Sequence, residues 1–401
     1  MASQQTPPPL PPPPAAAKHQ APNPTTISAL SDDLLREIFL RLPSLPPLVR
    51  AALTCRAFLA AVRSSPAFRR RFRTLHPSPL LGFFFDPDGP AIPAFAPLRR
   101  RSDPALAAAV RGADFFLTRL PASSSSTGAP SRSPPTTPLT GSLDLLPTPP
   151  DEICNDCRGV FVYMDFFLLC SGEAPGPFRV VGTFHDESRA RAAVFSSDTR
   201  EWQISPWTEA TTPQTGDNEY WLYGGSLVNG SVYWTHTNQA YMLVLNTVTL
   251  QFSRVDLPRC LKGQGHNFRT GETREGKPCV VGALEFTLLM WLWRSGDDGV
   301  ERWMLDKMFP LQTQIVEVTG GSLDDHGALK VLAIIDGFVY LSTFETFNDA
   351  DQPCWFLSFC LETMELEKFF QRRYDSHVHP YIMAWPPSLI GNRVNPQLEG
   401  P

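Results

Sequence analysis

The first clear pattern of apolar and polar positions is LSDDLLREIFLRLP, residues 30–43. Its large apolar residues recur at helical spacing, with charged residues such as Arg36 and Arg41 between them. Ser31 is a suitable N-cap, acidic residues follow it in the first turn, and Pro43 cannot continue a helix. The pattern predicts a short amphipathic helix that ends at Pro43.

Two further amphipathic segments follow this helix. Pro46-Pro47 opens a short second helix, and residues 55–64 (CRAFLAAVRS) form a third that ends before Pro66. The sequence therefore predicts a unit of three short helices over residues 28–73. Such a unit buries too little apolar surface to be stable alone and needs a neighbour.

After His76 the pattern changes to short β-branched and aromatic segments bounded by turn residues, which is typical of an all-β domain. These segments are LLGFFF (80–85), FVYMDFFLLC (161–170), SVYW (231–234), YMLVL (241–245), VLAIIDGFVYL (331–341) and WFLSFCL (355–361).

Two weak internal repeats refine this prediction. A polar residue, a glycine and a Val-Tyr strand recur as CRGVFVY (157–163), NGSVYW (229–234) and DGFVYL (336–341). A strand, a short turn and an aromatic residue recur as AVFSSDTREW (193–202), LVLNTVTLQF (243–252) and SFCLETMELEKF (358–369). The second repeat has steps of 48 and 116 residues, near one and two lengthened propeller blades, although the 71 residues from Gly159 to Gly230 fit less well.

We therefore predict a degenerate β-propeller of six to eight blades over residues 74–392. A plain β-sandwich or two smaller β domains are the structural alternatives.

Proline is in excess, with 41 residues in the chain. Many lie in residues 1–27, predicted to be a disordered Pro-rich tail, and in residues 121–150, predicted to be a disordered Ser/Thr/Pro insertion. Residues 393–401 are predicted to be a C-terminal tail.

Charge is divided unevenly along the chain. Residues 1–120 contain fifteen Lys/Arg and seven Asp/Glu, whereas the remainder contains twenty and thirty-three. A basic first part on an acidic body argues against a continuous nucleic-acid surface. We find no secretory signal and no apolar segment of membrane-spanning length in the sequence, and therefore expect no membrane association. The eight cysteines fit free thiols in a reducing compartment, so we expect a location in the cytoplasm, the nucleus or both.

The helical unit resembles an F-box, the module found in substrate receptors of SCF ubiquitin ligases. The F-box pattern is a Leu-Pro entry, an Asp-Leu-Leu-x-Glu-Ile-Leu helix, then Arg-Leu-Pro, then Cys-Lys/Arg-x-Trp, and an Ile before Pro-x-Phe. This chain has LSDDLLREIFLRLP, then TCRAF at 54–58 and VRSSPAF at 62–68. It departs from the pattern at Ser31, where the family has proline, and at Phe58, where it has tryptophan. The β part is similar to the F-box-associated propellers of plants.

The resemblance implies that the helices dock on a Skp-type adaptor and, through it, on a cullin–RING scaffold. Nine arginines against three acidic residues in residues 28–73 suit an acidic adaptor. The residues that the resemblance places in or beneath the interface are Leu30, Leu34, Ile38, Leu42, Pro43 and Phe58.

Aromatic residues beside the polar loop 208–219 are candidates for a target-binding face. They are Trp207, Trp221 and Tyr223, although blade core is the commoner role for such residues. Cys154 and Cys157 form a lone CxxC (CNDC) without the second pair that structural zinc needs. We predict no catalytic, cofactor or metal site.

The sequence thus predicts a non-enzymatic substrate-recognition subunit of an SCF-type ligase, whose β domain binds an unidentified protein target for ubiquitination. The alternatives are a ligase-independent scaffold or ligand-binding propeller, lectin-like among the options, and an enzyme whose site assembles from distant blades.

Overall fold

The computed structural model describes most of the chain. The described residues are 30–76, 80–85, 94–97, 136–137, 142–143, 147, 149–170, 178–209, 222–236, 241–261, 267–296, 299–344, 354–372, 378–382 and 389. The predicted tails at 1–27 and 393–401, and most of the predicted insertion at 121–150, lie outside them.

Four helices form the N-terminal unit, one more than predicted. They are α1 (Asp32–Leu40), α2 (Leu45–Leu53), α3 (Arg56–Arg63) and α4 (Pro66–Leu75). The prediction of three helices was wrong because it took Pro66 as a helix end. Pro66 stands instead in the first turn of α4, where its missing N–H is not needed, and the Ser65 hydroxyl caps the helix by accepting from the Phe68 N–H at 3.2 Å.

The β domain contains four antiparallel sheets in which consecutive strands lie side by side, which we call blades I to IV. Blade I is β5 (Val162–Cys170), β6 (Phe178–His185), β7 (Arg189–Ser196) and β8 (Glu201–Ile204), with β9 (Thr208–Glu209) also on β7. Blade II is β10 (Leu222–Val228), β11 (Ser231–His236), β12 (Tyr241–Asn246) and β13 (Phe252–Asp256). Blade III is β14 (Phe268–Glu272), β15 (Pro278–Leu284), β16 (Thr287–Ser295) and β17 (Glu301–Pro310). Blade IV is β18 (Ala328–Ile335), β19 (Phe338–Phe344), β20 (Cys354–Cys360) and β21 (Leu366–Arg372).

A fifth sheet, the closing blade, joins the two ends of the β domain. Its order is β2-β1-β22, so that the last strand pairs antiparallel with the first. Its strands are β1 (Leu80–Phe85), β2 (Ala94–Pro97) and β22 (Val378–Ile382). The pairing Phe85↔Val378 brings together residues almost three hundred positions apart and closes the ring.

The remaining elements connect or flank the blades. They are the two-stranded pair β3 (Thr136–Thr137) and β4 (Ser142–Leu143), helix α5 (Gln312–Thr319), and 3₁₀ turns at Asp151–Cys154, Arg259–Leu261 and Leu323–Asp325. The pair β3–β4 lies within the predicted insertion.

The described sheets give a five-bladed propeller, and the prediction of six to eight blades was wrong. A usual blade length would give more blades than this domain has, because long connections occupy much of the chain. Apolar side chains fill the space between neighbouring blades, from blade I through to the closing blade. The core therefore lies between blades, as facing sheets require.

The second sequence repeat corresponds to one kind of turn, between the third and fourth strands of a blade. Arg200, Leu250 and Met364 occupy the same position in blades I, II and IV, with φ of 59°, 57° and 60°. Each donates its N–H to the carbonyl four residues earlier at 2.8–2.9 Å. The repeat is thus a recurrent backbone conformation that closes a hairpin.

The first repeat mixes two positions. Asn229-Gly230 and Asp336-Gly337 are turns between the first and second strands of blades II and IV, and all four residues have positive φ, as two-residue hairpin turns require. Gly159 instead precedes the first strand of blade I. This difference in position explains why the interval from Gly159 to Gly230 did not fit the repeat.

These hairpin turns define one end of the propeller, which we call the turn end; the connections between second and third strands and between blades form the loop end. The helical unit reaches the turn end, because Arg274, in the turn after β14, donates to the carbonyl of Leu75 at 2.8 Å and pairs with Glu362 at 2.5 Å. The apolar core of the helices, which includes Leu48 and Phe72, extends into the rest of the chain. It is joined by three residues of the closing blade, Leu81, Phe95 and Tyr381, and by Leu389 near the C-terminus. No helix in the described ranges is long and apolar enough to cross a membrane.

Candidate functional site

Helix α1 exposes part of its apolar surface. Leu34 and Ile38, one turn apart on the helix, are 55% and 47% exposed. About 100° further round the same helix, Leu35 and Phe39 are 2% and 3% exposed within the core of the helical unit. The helix is therefore apolar on two sides, and the described part of the chain covers only one of them.

Arg36 fixes the position of α1 against α3. Its Nε donates to the Ala61 carbonyl at 3.0 Å, and its Nη2 donates to the Ser64 hydroxyl at 3.0 Å. The same guanidinium pairs with Asp33 at 2.9 Å and Asp32 at 3.2 Å, within the first turn of α1. Leu34 and Ile38 are thus displayed on a helix that is held in place.

Helix α4 provides the second support. Phe68 packs edge-on to Phe39, with ring centroids 6.5 Å apart, and is itself buried. Arg69, 3% exposed, donates from Nη1 to the carbonyls of Val62 and Arg63 at the end of α3. The sequence analysis did not find α4; the spacing of Phe68 and Phe72 was the signal for a further amphipathic helix.

The other residues predicted for the interface fall into two groups. Pro43, after α1, is exposed. Leu30, Leu42 and Phe58 are half-buried and pack against the core of the helical unit, Phe58 with its ring edge-on to Phe39 at 5.4 Å. These three residues connect the exposed surface to the core beneath it.

Two sequence families match this architecture. The family described as "F-box protein AT5G49610-like, beta-propeller" matches residues 133–389, which is more than half of the chain. The chain belongs to this family. A model of the F-box domain matches residues 27–70, where α1, α2 and α3 lie and where α4 begins. The prediction of an F-box followed by a family-specific propeller is confirmed.

Other comparisons are less specific, and no curated protein matches the sequence. A structure of S. cerevisiae Dbp5 bound to Nup159 and Gle1 aligns with 52% of this chain and 50% of that chain, at 10% identity and a TM-score of 0.28. The β-propeller domain of the Trilobed protease from Pyrococcus furiosus aligns over 52% and 57%, at 10% identity and a TM-score of 0.26. The chain spans about half the length of these structures, and similarity this low carries no argument about function.

At the loop end of the F-box protein's propeller, Trp207 belongs to a closed network. Its Nε1–H donates to the carbonyl of Asn155 at 2.8 Å. The guanidinium groups of Arg191 and Arg189 lie over its ring, with their central carbons 4.4 and 4.9 Å from the ring centroid. Phe161 packs against it edge-on. The half-buried indole thus already has partners within blade I. Of the other two predicted target-binding residues, Trp221 lies outside the described residues, and Tyr223 lies in β10 but its side chain is not described.

Asp186 is the centre of this network. It is 1% exposed and accepts hydrogen bonds from the backbone N–H groups of Arg158, Ser188 and Arg189 and from the Arg189 guanidinium. Burial acts to raise the pKa of Asp186, but these hydrogen bonds, that of Arg189 foremost, outweigh it and hold the pKa below its usual value. The carboxylate is a structural anion with its hydrogen bonds satisfied.

The two arginines fasten the segment before β5. Arg191 donates to the carbonyl of Ile153 at 2.9 Å, and Arg189 donates to the carbonyl of Asp156 at 2.5 Å. Sequence reasoning missed this network because it joins residues 153–158 to residues 28 to 52 positions further along the chain, with no periodicity. Among the described residues, no three His, Cys, Asp or Glu side chains lie together as a metal site.

Proposed function

We propose that this F-box protein is a substrate receptor of an SCF-type ubiquitin ligase. Its F-box helices dock on a Skp-type adaptor that leads to a cullin–RING scaffold, and its propeller holds a protein target. The observation that carries the proposal is the exposed Leu34–Ile38 surface on α1, inside the segment that matches the F-box model.

The size of this surface suits a docking role. Leu34 and Ile38 are already about half-buried, so covering the rest of each side chain contributes about 1 kcal/mol, and the pair supplies roughly a quarter of a micromolar affinity. The excess of arginine over acidic residues in the helical unit favours an acidic partner and speeds its association.

The contribution of the chain to the reaction is positional. A target bound to the propeller is held at high effective concentration beside the conjugating enzyme. The link of Arg274 to Leu75 and Glu362, together with the apolar contact to the closing blade, supports a fixed orientation of the propeller relative to the F-box. No residue of this chain makes or breaks a bond in this mechanism.

We also propose a location in the cytoplasm, the nucleus or both. Among the described residues, Cys55, Cys154, Cys157, Cys260, Cys279 and Cys360 are free thiols, which supports a reducing compartment.

The test is co-purification of the full chain with a Skp-type adaptor. We expect Leu34→Asp/Ile38→Asp to reduce adaptor affinity more than about a hundredfold, because two buried apolar contacts become buried charges. The matched control is Val248→Asp, which changes a side chain that is 72% exposed in a propeller turn and should leave binding unchanged.

Circular dichroism of all three proteins shows whether the folds are intact. Equal adaptor binding by the wild type and the Leu34/Ile38 double variant would refute the docking surface. If the folded wild type binds none of several adaptors, the ligase-independent propeller becomes the better hypothesis.

A further inference from the structure

We propose that Cys154 and Cys157 form a redox modification site, a dithiol that closes to a disulfide across one tight turn at the loop end of blade I. This inference is independent of adaptor docking. It assigns a chemical role to the CNDC motif, which has no further zinc ligands beside it among the described residues.

The backbone already has the conformation that the disulfide needs. Cys154 and Cys157 are the first and last residues of a β-turn closed by a hydrogen bond of 3.2 Å from the Cys157 N–H to the Cys154 carbonyl. Asn155 has φ −60° and ψ 139°, and Asp156 has φ 60°, as in a type II turn. Such a turn brings its end Cα atoms within ~7 Å, and disulfides span about 4.4–6.8 Å between Cα atoms.

Hydrogen bonds from residues that do not take part in the thiol chemistry fix the conformation of the turn. The Trp207 indole and the Arg191 guanidinium donate to the carbonyl of Asn155, and Arg189 donates to that of Asp156. Ile153, the residue before the turn, is 1% exposed. The two cysteines therefore stay adjacent in the folded protein, and little backbone entropy is lost when the bond forms.

Both thiols are accessible to small oxidants. Cys154 is exposed and Cys157 is half-exposed, whereas Cys279 and Cys354 are buried in the blades. With an oxidised low-molecular-weight disulfide, the Cys154 or Cys157 thiolate attacks one sulfur and releases one thiol. The second cysteine then displaces the other, so that two protein thiols are oxidised and one external disulfide is reduced to two thiols.

The surroundings of the pair slow its oxidation near neutral pH, because they disfavour the thiolate. Burial and the nearby Asp151 raise the pKa of Cys154 against the effect of Arg191. Burial, Asp186, Cys154 and Glu187 raise the pKa of Cys157 against the effect of Arg189. Because the thiolate is the attacking species, disulfide formation should accelerate as pH rises through and above neutrality.

To test this, the full chain is equilibrated with mixtures of reduced and oxidised glutathione and quenched in acid. The free thiols are then alkylated, and the alkylated, disulfide-linked and glutathione-bound cysteines are identified by peptide mass spectrometry. We expect Cys154 and Cys157 to lose alkylation together and to yield a linked peptide. In Cys157→Ser, Cys154 should instead accumulate a mixed disulfide with glutathione. Cys260, which is exposed, is an internal control and should form only mixed disulfide.

The same titration in urea separates the folded turn from mere closeness in sequence. We expect the equilibrium constant for the Cys154–Cys157 disulfide to be roughly tenfold larger in the folded chain, because the turn is preorganised. An equal or smaller constant in the folded chain would overturn the proposal. The proposal would also be overturned if Cys154 of the wild type remained a free thiol, or if it accumulated the same mixed disulfide with glutathione as in Cys157→Ser.

Discussion

In the helical unit, two large apolar side chains, Leu34 and Ile38, are exposed to solvent. At the loop end of blade I, by contrast, the carboxylate of Asp186 and the guanidinium of Arg189 are buried. Each arrangement is unfavourable unless something compensates for it. Asp186 finds its compensation within the chain, in hydrogen bonds from residues around it. Leu34 and Ile38 have none among the described residues, and the proposed adaptor would supply it by covering them.

The comparison also separates two kinds of candidate site. Trp207 lies near the loop end, where an aromatic anchor for a target was predicted, yet its ring faces and its N–H are engaged by Arg189, Arg191 and Asn155. Its role in target binding stays a prediction, and its role in stability follows from these contacts.

The largest expected effect contrasts the two sides of α1. Phe39→Ala should lower the free energy of unfolding by about 4 kcal/mol, because it leaves a cavity among aromatic rings in the core of the helical unit. Leu34→Ala, on the exposed side, should change it by less than about 0.5 kcal/mol while weakening adaptor binding. Urea titration measures both. A similar loss in the two variants would show that Leu34 is part of the core.

The second effect concerns the buried carboxylate. Asp186→Ala should lower the free energy of unfolding by about 3 kcal/mol at neutral pH, because Arg189 is left buried without its counter-charge. Since the folded-state pKa of Asp186 is depressed, its contribution is complete above the unfolded pKa of about 4 and declines as pH falls through the folded pKa.

Wild type and variant should therefore converge in stability on acidification. Denaturant titrations between neutral pH and the acidic range give the difference directly. A difference that grows at low pH would contradict a depressed pKa for Asp186.

The smallest effect tests whether Trp207 is structural. Trp207→Phe removes the N–H donor to Asn155 and shrinks the surface stacked with Arg189 and Arg191, so we expect a loss of about 1 kcal/mol. Adaptor binding should not change, because Trp207 lies at the loop end. Unchanged stability in thermal unfolding would leave Trp207 available as a target contact.

The local patterns that the sequence contains were sufficient to predict α1, its Ser31 cap, β1 and several strands of blades I, II and IV, because these depend on residues close in the chain. No strand of blade III was predicted. Ser31 accepts from the Leu34 N–H at 3.4 Å, as an N-cap does, although α1 ends at Leu40 and not beside Pro43. The F-box pattern likewise sits within one short segment. Pro66 misled the prediction because proline ends one helix as readily as it begins the next.

Tertiary structure alone decided the rest. The number of blades depends on where the long connections fall in the chain and on the pairing of β1 with β22. No local periodicity indicates either. Periodicity showed that α1 is apolar, but which of its leucines would remain exposed depended on where α3, α4 and the closing blade pack. Likewise, the partners of Trp207 and of the Cys154–Cys157 turn come from distant positions, because a folded chain satisfies buried polar groups with whatever lies near in space.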